Sequence, residues 1–432
     1  MQAAVSYTIG EIASLGKDNI PAELLSGKGL VYSSPATLAF NSPGAEGFGV
    51  KRAGLAVPES VMLIVSPGCC GRNTTLVSSI PGYEDRFFYL LMDESDLVTG
   101  RHLTKIPGAI AEVLEFLKGK GKSPKVVLIC ITCVDALLGT DMERVARKCE
   151  EKNPQVRVLP CYMYALTREG RRPPMVHVRQ SIYSLLEKGT RRKDTVNILG
   201  NFAPVNPKSD LLMYLKAAGF SKINQIATCK TYEEFEAMNE ANLNIVLNRE
   251  AYPAAEDMYK KLGIPFVELT PTYDIDKMLK QYTALSQTLG VKINLDKIHA
   301  QVQEYISKFV REHEGLTVNI GECLNANPFE LALSLSRYGV RVAEIYATLS
   351  PEQFVYIKRL NEIAPDIKIF CNLEPTMLNY ASSSSGADLS IGKDAAFYLP
   401  DVPNIPWNSD IVPFGFSAVK DLFGEIAKEA EA

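Results

Sequence analysis

The chain lacks the sequence devices of several large protein classes. No apolar run in its 432 residues approaches the roughly 20 residues that a membrane-spanning helix needs, and the longest, around Val126–Ile131, is strand-length. The opening MQAAVSYTIGEIASLGKDNIP has no basic stretch followed by an apolar one, so a secretory leader is not expected and a cytoplasmic location is. No G-x-x-x-x-G-K-[ST] occurs, so no bound ATP is expected on this chain; no G-x-G-x-x-G follows a strand either. There are four histidines, at 102, 177, 299 and 313, too few for a histidine-rich metal centre. With a net charge of −4, the chain has no basic footprint for nucleic acid.

What is present is a globular composition, 46% hydrophobic and 22% charged, which excludes a mainly disordered chain. At roughly 150 residues per domain, the length suggests about three domains. Short β-branched runs alternate with amphipathic helix-length stretches. Strands are expected at 61–65, 87–91, 126–131, 156–159, 196–199, 244–247, 317–320, 340–345 and 367–370. Most are apolar on both faces, as when helices cover both sides of a parallel sheet, so the fold class is α/β with mostly parallel sheets. The polar break GTRRKD and the helical stretch 274–314 suggest boundaries near 192 and 314. The expected units are 1–192, 193–314 and 315–413, with a final helix, 414–432, packing back on the first. The second and third units open on the same T-V-N-I, at Thr195 and Thr317.

The nine cysteines need an explanation, because structural disulfides are not expected in a cytoplasmic protein. A free cysteine is by default a buried core residue, and Cys130, inside an expected strand, is read that way. Cys69 and Cys70 follow the first strong strand, Cys133 follows the 126–131 strand, and Cys161 follows the 156–159 strand. Parallel strands share one carboxyl edge, so these loops can converge, and soft thiolates are what an iron–sulfur cluster requires.

Ser66-Pro-Gly-Cys-Cys-Gly-Arg-Asn-Thr resembles the G-x-x-G-C motif of nitrogenase component 1 subunits and their relatives. ITCVDALLGTDM, from Ile131 to Met142, resembles that family's second loop. NIVLNREAYPAAEDMYKKLGIPFVE, from Asn244, and ADLSIGKDAAFYLPDVPNIPW, from Ala387, are similar to its second-domain strand–helix–turn and third-domain ending. The resemblance implies three Rossmann-like domains around a central cleft and an iron–sulfur cluster near a subunit interface. It also implies electrons supplied by a separate ATP-hydrolysing iron–sulfur reductase.

Departures from the family pattern narrow the expectation. Where catalytic nitrogenase carries a cofactor-anchoring cysteine, this chain has Asn248, and the stretch WNSDIVPFGF, from Trp407, has no histidine to serve as the other anchor. Dinitrogen reduction is therefore not expected. The first cluster cysteine is also missing, and AFNSPGAEGFG offers only Asn41, Ser42 and Glu46 in its place. In a homodimer, Cys70 and Cys133 from each chain make the four thiolates of one 4Fe–4S cluster. Cys69 is an alternative to Cys70, Glu46 an oxygen ligand, and Cys161 a further cofactor contact near the cleft. A heterodimer with a related subunit is equally allowed.

Two further residues invite functional readings. The basic stretch REGRRPPMVHVR suits substrate carboxylates or an acidic docking partner, against the plainer reading of a solvated surface, and His177 within it is placed to donate a proton during reduction, against the plainer reading of an ordinary satisfied histidine. Glu322, in Gly-Glu-Cys-Leu-Asn after the third-unit strand, is the candidate general acid, against a local helix-capping role for Asn325 or Asn327. The leading expectation is the catalytic component of a nitrogenase-like reductase, passing electrons through the cluster to a small molecule or tetrapyrrole. The alternative is a non-catalytic scaffold or carrier for metallocluster or tetrapyrrole assembly.

Overall fold

The structure is a computed structural model and describes residues 3–25, 53–68, 82–131, 139–162, 172–291, 294–382 and 385–431. Fourteen strands are seen among these residues. They are β1 (Tyr7–Thr8), β2 (Ser60–Ser66), β3 (Phe87–Leu91), β4 (Val126–Ile131), β5 (Arg157–Tyr162), β6 (Arg192–Leu199) and β7 (Lys222–Gln225), followed by β8 (Ala241–Val246), β9 (Phe266–Glu268), β10 (Thr317–Gly321), β11 (Arg341–Tyr346), β12 (Lys368–Phe370), β13 (Leu389–Ile391) and β14 (Asn404–Ile405). They form three sheets, in the orders β3-β2-β4-β5, β7-β6-β8-β9 and β1-β12-β11-β10-β13-β14. Every pairing is parallel except β1 with β12. The α/β class expected from two-sided apolar strands is what forms; β2, SVMLIVS, is buried at all seven positions. No helix of the described residues is long and apolar enough to cross a membrane.

The chain divides into two compact units. One comprises Phe48–Pro204 and Gly219–Thr270 and holds the first two sheets; the other comprises Met1–Gly47, Val205–Ala218 and Pro271–Ala432 and holds the third. Both chain ends depart from expectation. Residues expected in the first unit pair β1 with β12 instead, Tyr7 opposite Ile369, so the beginning of the chain extends the third sheet. The final helix, Phe416–Ala430, expected with the first unit, belongs to the unit that holds the third sheet. Its apolar face lies on the helix Leu295–Glu312, with the Phe423 ring edge-on to Phe309 at 4.9 Å. The expected 274–314 helix is two helices, Ile275–Leu289 and Leu295–Glu312; the first ends at Gly290 in the left-handed conformation and the second starts under the Asn294 cap.

The repeated T-V-N-I has a physical reason. It forms β6 and β10, each an inner strand of its sheet, and buries its asparagine completely. A buried amide must find partners. Asn197 Nδ2 donates to Asn244 Oδ1 on β8 and to the Met238 carbonyl, both at 2.8 Å, while its Oδ1 accepts from Asn224 Nδ2 on β7 at 2.9 Å. Asn319 ties β10 to β11: its Nδ2 donates to Tyr346 Oη at 2.8 Å and its Oδ1 accepts from the Glu344 N–H at 3.1 Å. Each asparagine sets register across a sheet whose backbone pairing alone would tolerate slippage.

Asn197→Ala should therefore cost about 1–3 kcal/mol, because it strands Asn224, Asn244 and the Met238 carbonyl together. Urea unfolding of the whole chain measures it; a loss below about 0.5 kcal/mol would show that the amide ladder does not hold the sheet.

Candidate functional site

In open parallel sheets, ligands collect beyond the carboxyl ends of the strands, where successive connections leave in opposite directions. The strand orders place that point between β2 and β4, between β6 and β8, and between β10 and β13.

In the first sheet, Val65 is the register partner of Ile131, so the chain leaves β2 and β4 at neighbouring positions. Cys69, Cys70, Cys133 and Glu46 themselves lie outside the described residues. Cys130 is fully buried, as expected of a core residue. Cys161 is inside β5 rather than in a loop beyond it. It is the register partner of Cys130, 1% exposed and surrounded by apolar side chains, so the structure places it in the core. Among the described residues no group of three or more His, Cys, Asp or Glu side chains is arranged to hold a metal ion.

His177 sits on the helix Pro174–Tyr183, which lies over β5. Its ring stands edge-on to Tyr162 at 4.5 Å, its Nδ1 is 3.2 Å from Ser181 Oγ, and Tyr162 Oη donates to Glu143 at 2.6 Å. Two residues on, Arg179 overturns the solvated-surface reading of the basic stretch at that position. It is 3% exposed, with Nε donating to the Gly200 carbonyl at 2.8 Å and Nη1 to Met175 O at 2.8 Å and Glu250 Oε2 at 2.7 Å. Its guanidinium also faces the Phe202 ring at 4.6 Å. Burial pulls its pKa down and Glu250 pulls it back up; an arginine stays charged throughout.

These contacts lie at the second switch point. Gly200 has φ +116°, and a Cβ there would stand 2.7 Å from Asn248 Cβ, so glycine is required for the close crossing of the β6 and β8 ends. Asn248 spends its amide oxygen on the short helix that follows, accepting from the Glu250 N–H at 3.0 Å.

The third switch point has the most developed polar cluster. Asp394 is fully buried and accepts from the backbone N–H groups of Glu322 (2.8 Å) and Cys323 (3.0 Å) and from Asn372 Nδ2 (2.8 Å). Burial raises its pKa, and the three donors offset part of that rise. The same Asn372 Nδ2 stands 2.8 Å from Glu322 Oε1, and Tyr398 Oη donates to Asn372 Oδ1 at 2.6 Å. The Thr348 N–H donates to the other Glu322 oxygen at 2.9 Å. Glu322 is thus fixed at the strand end with both oxygens engaged. A Cβ at Gly321 would lie 2.6 Å from Asp394 Cγ, which explains the glycine. The loop is closed by Trp407, held at φ +39°, whose carbonyl accepts from the Asn325 N–H at 2.7 Å. Helix capping falls to Asn327, which accepts from Phe329 and Glu330; Asn325 accepts from the Ser409 N–H instead. His177 and Glu322, the two proposed proton carriers, belong to different units.

Asp394 and Tyr398 lie within the segment from Ala387 that resembles the family's third-domain ending, but nothing in it marks them as site residues, and Asn372 lies outside every such segment. Asp394 follows a three-residue strand too short to show a period, and only its position after Gly392 hints at a crowded turn.

Gly321→Ala should cost about 1–3 kcal/mol, and less when combined with Asp394→Ala, since the obstructing carboxylate is then gone. A strictly additive pair would contradict the contact. Because the Asp394 pKa is raised on folding, the stability it confers is greatest at low pH and falls as pH rises from 3.8 through the raised value. The stability of wild type relative to Asp394→Asn, measured by urea unfolding between pH 4 and 8, should fall with rising pH; a rise would contradict the burial argument.

The sequence pattern of the nitrogenase component 1 type oxidoreductases matches residues 46–427. The nitrogenase iron-molybdenum cofactor biosynthesis protein NifE of Clostridium pasteurianum is 24% identical over 262 residues, 59% of this chain and 56% of that protein. NifE of Nostoc sp. is 24% identical over 241 residues, 54% of this chain and 49% of that protein. The nitrogenase molybdenum-iron protein alpha chain of Methanosarcina barkeri is 21% identical over 240 residues, 53% and 44% of the two chains. The chain thus aligns with about half the length of these curated relatives. The solved structure of nitrogenase Cp1 at pH 6.5 superposes with a TM-score of 0.60 at 15% identity, covering 96% of this chain and 92% of that one. That likeness shows the shared fold, and the pattern match, which spans most of the sequence, shows that the chain belongs to the nitrogenase component 1 type oxidoreductase family.

Proposed function

We propose that the chain is a non-catalytic scaffold or carrier that holds a metallocluster or tetrapyrrole cofactor during assembly and hands it on. The observation that carries the reading is the similarity to two curated proteins named for iron-molybdenum cofactor biosynthesis. Two features of the chain support it. Asn248, where the resemblance puts the anchoring cysteine of catalytic relatives, spends its side chain on a helix cap. Glu322, the acid that a catalytic role would use, has both oxygens taken up by Thr348 and Asn372.

Within this reading, Cys70 and Cys133 of two copies hold one 4Fe–4S cluster, with Cys69 as the alternative to Cys70 and Glu46 as an oxygen donor. The neighbouring exits of β2 and β4 fit that ligand set, since they start both cysteine-bearing segments from adjacent strand ends. When bound, such a cluster supplies one-electron transfer at a potential set by thiolate charge, hydrogen bonding and burial. A partner subunit of related sequence would complete the same set in a heterodimer. The catalytic reading differs in needing an ATP-hydrolysing iron–sulfur reductase and a substrate.

Anaerobically purified chain should contain iron and sulfide, and Cys70→Ala and Cys133→Ala should each remove most of the iron. Mixed with an ATP-hydrolysing iron–sulfur reductase, the chain should show no ATP turnover dependent on an added tetrapyrrole, and its metal should pass to an acceptor apoprotein. Tetrapyrrole-dependent ATP turnover would overturn the scaffold reading in favour of catalysis.

A further inference from the structure

The two edges of the first sheet are built differently. At one edge, the Arg157 N–H of β5 donates to the Lys125 carbonyl on the β4 side, so Val158 and Pro160 face away from β4. Glu150 Oε2 accepts the Val158 N–H at 3.0 Å, and Pro160 has no N–H to offer. A carboxylate and a proline thus close this edge to a further strand.

The other edge is β3, FFYLL, and it is open. The Met62 N–H donates to the Arg86 carbonyl and the Met92 N–H to the Ser66 carbonyl, so the even-numbered residues face β2. Phe87, Tyr89 and Leu91 therefore turn their backbone N–H and C=O groups outward. None of these groups has a hydrogen-bond partner among the described residues. Side chains on both faces of the edge are apolar and reach solvent. Tyr89 and Leu91, on one face, are 37% and 59% exposed. On the other, Phe88 stands edge-on at 5.9 Å to Phe116 of the helix Arg101–Gly119, and Phe116 is 50% exposed.

The remaining sheet edges among the described residues carry the ordinary protections. β1 and β14 have two residues each, β9 has three and ends on Glu268, and β7 begins on Lys222. β3 has five residues, no charge and an unused row of backbone groups, which is the chemistry that accepts an added strand. A second copy of the chain fits this edge poorly. Two β3 strands paired in full overlap about a two-fold axis would set Glu94 against Glu84 and Asp93 against Asp85, and would point the exits of β2 and β4 in opposite directions. A different chain avoids both. Glu94, exposed just beyond the strand and without an ion pair among the described residues, favours a cation at that end.

We infer that β3 takes up an extended segment of another protein as a fifth, antiparallel strand of the first sheet. Every second side chain of that segment is apolar and lies beside Phe87, Tyr89 and Leu91, and a basic residue at its amino end meets Glu94. The inference is independent of the cluster and of the scaffold reading.

The probe is the peptide acetyl-KTVTVTVG-amide, titrated calorimetrically into the full chain. One saturable site is expected. N-methylation of the valines, whose N–H groups would face β3, should abolish binding, and N-methylation of the threonines should not. Leu91→Pro, which removes an outward N–H that β2 does not use, should weaken binding by at least about tenfold, whereas Leu91→Thr, which keeps that N–H, should change it much less. Hydrogen exchange read by mass spectrometry should slow over residues 87–91 when the peptide binds and stay unchanged over 157–162. Absence of saturable binding, equal loss with either methylation pattern, or protection away from β3 would overturn the proposal. So would a dimer of the peptide-free chain that Leu91→Pro dissociates, since the edge would then belong to a second copy.

Discussion

Parallel strand pairing is the constraint on which the rest of the structure depends. Parallel neighbours cannot be joined by a tight hairpin, so each connection between them crosses over the sheet, and every strand but β1 ends at the same edge of its sheet. Segments beyond those ends are therefore the general place for ligand chemistry in such sheets. The three strand orders converge on three such places. One starts the segments bearing Cys69, Cys70 and Cys133; one crowds Gly200 against Asn248; one seats Asp394 beneath the Glu322 and Cys323 amides. The buried asparagines of β6 and β10 keep these ends aligned, because a slip in register would break side-chain hydrogen bonds that have no water to replace them.

Two buried charges show how the strand-end turns are held. Arg179 is satisfied mainly by backbone carbonyls, with Glu250 as its one anionic partner among the described residues. Asp394 is satisfied by backbone amides and one asparagine and forms no ion pair among the described residues. In both, a single charged group gathers dipoles from turns that would otherwise leave N–H or C=O groups unpaired away from water. Truncating either side chain would release several polar groups together, so each acts as a local organiser of its loop. Glu322 is immobilised by the same arrangement that organises Asp394, since Asn372 serves both carboxylates.

Much of the fold was legible in the sequence. Runs such as VMLIV and VVLICI are apolar on both faces and five or six residues long, and they became the inner strands β2 and β4. The strands that escaped, β1, β7, β9, β13 and β14, have two to four residues and take their stability from neighbours, so no period could show. The chain ends were misplaced because nothing local says which sheet a two-residue strand or a terminal helix will join; long-range burial decides that. At the candidate sites, Cys130 was legible as core and Glu322 as a strand-end residue. Arg179 was not, since a basic stretch reads as surface until tertiary contacts bury one member of it. Asp394 and Asn372 meet Glu322 only through folding, from positions 72 and 50 residues away.

We propose that two chains share one cluster between strand-end cysteines, in a family member that holds a cofactor rather than reducing a substrate. Native mass spectrometry of the anaerobically isolated chain counts chains and clusters together. The account predicts two chains with one four-iron, four-sulfide cluster; one cluster on every chain, or a dimer without iron, would contradict it.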